Sequence, residues 1–181
     1  MTLLLHGNFL MSRIPLNKHL LDWFNSEHSS KYVLEHNGSI LLPSVFGDLS
    51  LRLEYDDGLY EIILKDPQNK KDEVIFCTTF LNIALTYLCF LITKKINPDY
   101  LNKPNNNHIA FTPPKRFIFG SANVNNTKFN RFSFFHQNTL FSGYIRTTHH
   151  SDLRVHNHLI QYLNYLEEII NNSSKAGILD L

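Results

Sequence analysis

The sequence predicts an α+β fold, a mostly antiparallel sheet with a buried central helix and N- and C-terminal helices. Three observations predict it. Apolar runs flank Asn37-Gly38 and Asp57-Gly58, dipeptides that favour tight hairpin turns. An uncharged run, Val74 to Ile92, is split by Thr78-Thr79 into a strand-like and a helix-like piece. A stripe of apolar residues with helical period runs from Val155 to Ile170.

In chain order, residues 16–29 form a short helix pattern, with Leu20, Leu21, Trp23 and Phe24 on one side. KYVLEHNGSILLP reads as a hairpin turning at Asn37-Gly38, because a type I′ turn needs positive φ at both central residues. LSLRLEY alternates Leu49, Leu51, Leu53 and Tyr55 with polar residues, Asp57-Gly58 turns the chain, and LYEIILK returns. DPQNKKDE is a polar turn and VIFCT a further strand. Residues 79–95 form a helix that is apolar almost all round, hence buried. NPDYLNKPNNN is a connecting loop. Residues 108–112 and 116–119 are short extended pieces separated by Pro113-Pro114, which cannot donate to a ladder. SANVNNT reads as a turn, TKFNRFSFFHQ as a strand and LFSGYIRTT as its partner, with Gly143 marking a bulge or a close approach. Ser151 or Asp152 caps the last helix. Its stripe comprises Val155, Leu159, Tyr162, Leu163, Leu166, Ile169 and Ile170, and residues 172–181 read as a frayed tail.

The chain has 181 residues, 43% of them hydrophobic and 18% charged, which suits one domain, 1–181, with a real core and excludes a disordered chain. Residues 1–10 lack the features of a signal peptide, and Met11 is an alternative start, since a helical pattern begins just after it. Cys77 and Cys89 lie in apolar runs, which suits a reducing cytosol and a cytoplasmic protein. The run from Val74 to Ile92 has the length of a membrane span, but the threonines inside it and the alternating strands around it favour a buried core helix.

Charge is unevenly distributed. Residues 22–73 hold 11 Asp and Glu against 5 Lys and Arg, whereas residues 100–151 hold Lys103, Lys115, Arg116, Lys128, Arg131 and Arg146 and no carboxylate. The same segment holds Phe111, Phe117, Phe119, Phe129, Phe132, Phe134, Phe135, Phe141 and Tyr144. Three readings are open. The aromatics can line the inner face of strands with the cations outside. Both can form a surface for an acidic partner. Both can stack bases and neutralise phosphates, making a single-stranded nucleic-acid-binding accessory domain from residues 103–146. A pI of about 7.8 and dispersed cations weigh against the last.

Catalytic signatures are missing. His156 and His158 are two apart on a helix, a spacing that turns them away from a common ion, and the histidines of the cluster 149–158 read as solvated. Glu54, Asp56 and Asp57 serve a turn, and His150, Ser151 and Asp152 are too close in sequence to form a triad. No metal, cofactor or enzymatic role is expected.

The hairpin turned by Asp57-Gly58, the strand VIFCT and the helix FLNIALTYLCFLITKKI together resemble bacterial polymorphic-toxin immunity proteins over residues 49–96. They are most similar to the family that pairs with NAD glycohydrolases of the tuberculosis necrotizing toxin type. The resemblance implies a cytosolic immunity protein of the kind found in contact-dependent growth inhibition systems. Such a protein forms a one-to-one complex with a cognate toxin domain encoded by an adjacent gene and blocks its active site. The balanced net charge of +1 suits an inhibitor of a nucleotide-cofactor toxin better than one of a strongly basic nuclease. Lys115, Arg116, Asn123, Asn125, Asn126, Lys128 and Arg131, polar and close to turns, are the expected toxin interface.

Overall fold

The structure, a computed structural model, describes residues 33–34, 40–46, 49–65, 67, 72–93, 114–146, 153–172 and 176–179. The expected N-terminal helix at 16–29, residues 1–10, the loop 97–107, the extended piece 108–112 and the capping residues Ser151 and Asp152 lie outside them.

Among the described residues eight strands form one sheet: β1 (Val33–Leu34), β2 (Ile40–Phe46), β3 (Leu49–Asp56), β4 (Leu59–Lys65), β5 (Asp72–Thr78), β6 (Ile118–Val124), β7 (Thr127–His136) and β8 (Thr139–Arg146). Their spatial order is β1-β2-β3-β4-β5-β8-β7-β6, and every neighbouring pair is antiparallel. The first five strands and the last three are two meanders, and β8 docks on β5 to join them. Helix α1 (Leu81–Thr93) connects the meanders, helix α2 (Leu153–Asn171) follows β8, and a 3-10 turn spans Ala176–Leu179.

Local chemistry explains the turns. Asp57 and Gly58 have φ of 47° and 83°, and Asp56 pairs with Leu59 across them, as a two-residue turn with positive φ requires. Asn125-Asn126 and Gln137-Asn138 adopt the same positive φ and close the β6–β7 and β7–β8 hairpins. The first hairpin differs from expectation. Leu34 pairs with Ile40 and Val33 with Leu41, so the register centres on Asn37 rather than between Asn37 and Gly38. An unbulged two-residue turn does not produce that register; the turn residues lie outside the described ones. Pro43 falls where the β2–β3 register shifts, the kind of position where a strand tolerates a missing N–H.

The uncharged run divides as its threonines indicate. Thr78 ends β5, its hydroxyl accepts the N–H of Phe80 at 3.1 Å and donates to the Ser142 carbonyl at 2.6 Å, and the Phe80 carbonyl accepts the first helical bond from Ala84. One side chain therefore turns the chain at the end of β5 and ties the corner to β8, while the N-cap position of the helix is Phe80 rather than either threonine. Residues 81–91 of α1 are all buried. Among the described residues no helix is long and apolar enough to cross a membrane.

Both helices lie on one face of the sheet. Residues directly opposite in antiparallel strands share a face, and the pairings place Leu53, Ile62, Phe76, Ile145, Phe132, Phe134 and Phe141 on the helix side. Phe76 stacks on Tyr87 of α1 with centroids 4.3 Å apart, and Phe132 meets Tyr162 of α2 edge-on at 5.5 Å. Such ring geometries add to the stabilisation from area burial.

Two expectations are corrected. Ser121 to Val124 belong to β6 rather than to a turn, because β7 offers a full ladder to pair with, Ser121 with Asn130 through Val124 with Thr127. The tail is not frayed over residues 176–179: Ile178 and Leu179 are buried in the core, and the Asn82 side chain donates to the Ile178 carbonyl at 3.2 Å.

Candidate interaction surface

The strand order converts a division along the sequence into a division in space. The acidic first half occupies β3–β5 and the carboxylate-free half occupies β6–β8. On the outer face, away from the helices, a single transverse row runs Glu54, Glu61, Cys77, Tyr144, Arg131, Gly120. Strands lie about 4.8 Å apart, so Glu61 and Arg131 are roughly 14 Å apart on a common face. Burial and the nearby Asp56 and Glu54 raise the Glu61 carboxyl above its ordinary range. Burial, with Glu61 opposite, pushes the Cys77 thiol up to about 12, so it stays protonated and unreactive at neutral pH. The halves are joined where Arg146 meets Glu73 at 2.9 Å.

Most aromatics of the carboxylate-free half are buried: Phe117, Phe132, Phe134 and Phe141 in the core, and Phe129 on the outer face opposite Ala122 and Arg146. The exceptions are informative. Ile118 is 61% exposed, Phe135 64%, Leu140 42% and Phe119 39%. Phe135 and Leu140 are directly opposite on the outer face, which Ile118 shares, while Phe119 points to the helix side. All four lie on β6–β8, and β6 is an edge of the sheet. Its side chains are exposed or half-exposed on both faces, so it projects beyond the helix layer.

The expected interface residues fall around this edge. Asn125 and Asn126 form the hairpin tip, and Asn123 and Lys128 are opposite each other beside it on the helix-side face. Arg131 lies further along on the outer face, opposite Gly120. Lys115 and Arg116 lie in a turn before β6, at its other end. Seven strand residues separate the ends by roughly 20 Å, so the seven positions line one edge without forming one cluster. Lys115, Asn123, Asn125, Asn126, Lys128 and Arg131 are exposed. Arg116 is engaged within the fold: its Nε lies 2.6 Å from Glu167 on α2 and ties the entrance of β6 to the helix layer. Sequence reasoning missed Ile118, Phe119, Phe135 and Leu140. Alternation separates the two sides of a strand, but it does not reveal that Ile118, Phe135 and Leu140 face away from the helices or that β6, with Phe119, projects beyond them.

The histidine cluster separates. His149 and His150 lie outside the described residues, and His156 lies in α2. His158 is buried rather than solvated, with Nε2 2.8 Å from the Tyr87 hydroxyl and no partner for Nδ1 among the described residues. Among the described residues no group of three or more His, Cys, Asp or Glu is placed to hold an ion. Burial lowers the His158 pKa from 6.5 to about 4. Between those values the unfolded chain binds a proton that the folded chain refuses, so stability falls as pH falls through the window. The loss attributable to this ring reaches about 3 kcal/mol near pH 4. Urea unfolding from pH 7 to pH 4 should show a shallower decline for His158→Gln than for the parent. Equal slopes would remove His158 as the cause.

The fold and this surface define an α+β protein whose all-antiparallel sheet carries helices on one face and has an apolar, cation-flanked edge that none of the described residues covers. No protein-family model matches the chain, and no curated protein matches it by sequence. Its fold is similar to the solved structure of Rv3902c from M. tuberculosis, with a TM-score of 0.54 and 14% identity over 91% of this chain and 89% of that one.

Proposed function

We propose that the protein is an immunity protein that binds a cognate toxin domain one-to-one through the β6–β7 hairpin and blocks its active site. The observation that carries this reading is the group Ile118, Phe135 and Leu140, exposed together on the outer face of strands that hold cations and no carboxylate. Clustered exposed apolar side chains rimmed by polar ones mark protein-binding surfaces. The resemblance of residues 49–96 to immunity proteins supplies the class of partner, and an NAD glycohydrolase is the toxin it suggests. The fold shared with a M. tuberculosis protein is consistent with that resemblance and carries no function of its own. A base-stacking platform is less well supported, because the exposed rings Phe119 and Phe135 lie on opposite faces and the neighbouring rings are buried.

The test is co-expression with the domain encoded immediately upstream, scored by growth and by isolation of a complex. Rescue with a stable one-to-one complex supports immunity, and NAD depletion in unprotected cells identifies the toxin class. The double variant Lys128→Glu, Arg131→Glu should weaken the complex at least about tenfold through k_on and k_off together. The thermal midpoint of Arg131→Glu alone should move little, because exposed substitutions typically change stability by about 0.5 kcal/mol or less. A neighbour that is harmless, or that kills despite this protein, overturns the proposal. Steep salt-dependent binding to single-stranded nucleic acid would replace it.

A further inference from the structure

The surface residues divide between the two faces of one edge. Phe119, Asn123 and Lys128 are on the helix-side face; Ile118, Arg131 and Phe135 are on the outer face. A partner resting on either face alone would leave half of them untouched. What they share is the β6–β7 hairpin, whose outer strand is β6.

Among the described residues no strand pairs with the far side of β6, and its backbone is open there in a predictable pattern. In a hairpin closed by a two-residue turn, the residues flanking the turn exchange both backbone bonds, and alternate residues along the strand do the same. Val124 and Thr127 flank the turn here, so Val124, Ala122, Gly120 and Ile118 bond inward to β7. The N–H and C=O groups of Asn123, Ser121 and Phe119 therefore point outward, away from the sheet. Edge strands are normally protected by lysine, proline, a bulge or shortness. The sequence IFGSANV has neither charge nor proline, spans seven residues, and pairs with β7 without a register shift.

We propose that β6 receives an extended, acidic segment of the toxin as a ninth strand. This deepens the immunity reading and rests on it. Main-chain bonds to Phe119, Ser121 and Asn123 would provide affinity, and alternate side chains of the incoming strand would cover Ile118 on one face and Phe119 on the other. Charge selects the occupant. Lys115, Lys128 and Arg131 flank the edge, and residues 100–151 hold no carboxylate, so aspartate or glutamate on the incoming strand is favoured. A second copy of this chain joined β6 to β6 would instead bring these cations together.

The experiment uses the full chain and the domain encoded immediately upstream, with amide hydrogen exchange read by NMR. In the complex, exchange at Phe119, Ser121 and Asn123 should slow at least tenfold. Ser121→Pro, which removes an outward donor and leaves the inward ladder intact, should weaken binding at least tenfold. Gly120 before it presents no side chain to the proline ring. A complex that forms while these three amides stay fast overturns strand addition and leaves the immunity reading standing. Protection of the same amides in the isolated chain at high concentration, with a dimer in sedimentation, overturns it in favour of self-pairing. Failure of any complex to form overturns both readings together.

Discussion

A chain shortened to end at Lys175 should lose on the order of 5 kcal/mol of unfolding free energy, which is a large share of a typical domain's stability. The 3-10 turn Ala176–Leu179 inserts Ile178 and Leu179 into the core cluster beside α1 and α2, with 1% and 3% exposure. Burying each such side chain contributes roughly 1.5–3 kcal/mol. Removing the turn also strips the carbonyl partner from Asn82, a buried amide at the start of α1. A buried polar group left without its partner costs a further 1–3 kcal/mol or so. The single variant Asn82→Ala should therefore cost less than the truncation, about 1–2 kcal/mol. Urea titration of both proteins checks this. A truncated chain with the midpoint of the full one would mean that the turn is an ornament.

Gly143→Ala is expected to be the most damaging single methyl group in the sheet. A Cβ built at Gly143 would lie 2.6 Å from Cζ of Phe132 and 3.0 Å from Cζ of Phe76. Ordinary carbon contacts are near 3.5–4.0 Å, so the Phe132 ring must yield by about 1 Å. It has nowhere to go: Phe132 is fully buried between Phe76 at 6.2 Å and Tyr162 at 5.5 Å, centroid to centroid. Overpacking of this kind costs about 1–3 kcal/mol. Phe132→Leu is destabilising alone but makes room for the methyl group. In the double variant the two costs should fall short of additive, with a favourable coupling of at least about 0.5 kcal/mol. Strict additivity would show that Phe132 is not what confines position 143.

The hairpin at Asp57-Gly58 was legible because its signal is local: alternation sets the faces, and only a few residue types accept positive φ at both turn positions. The division at Thr78 was legible for a similar reason, since a hydroxyl interrupts an otherwise uniform run; it acts by turning the chain at Phe80, not by capping the helix. Gly143 was visible as a place of close approach, but not what approaches it, because Phe132 comes from another strand. β6 was half-read. Gly120, Ser121, Ala122 and Asn123 have little strand preference of their own, and they are held extended by the strong alternating pattern of β7. The Asn125-Asn126 dipeptide, built from a residue type that tolerates the positive φ found there, was the available signal for where that strand ends. His158 was misjudged because the helix start looked polar; its burial depends on Tyr87, 71 positions away.

The class of fold, the partition of the uncharged run into strand and helix, and the unequal distribution of charge follow from the order of residues. Each depends on residues within a few positions of one another, or on composition alone. Other features arise only when distant segments pack together. The antiparallel docking of β8 on β5 places acidic and basic halves at opposite ends of one sheet, a consequence of strand order that no local pattern encodes. Which face each apolar side chain takes, and how far α1 and α2 reach across the sheet, decide what is covered. Phe119 faces the helix side on an edge strand that projects beyond that layer, and Ile118, Phe135 and Leu140 face the opposite side, so all four remain at the surface, where their burial can contribute to binding a partner instead of to folding.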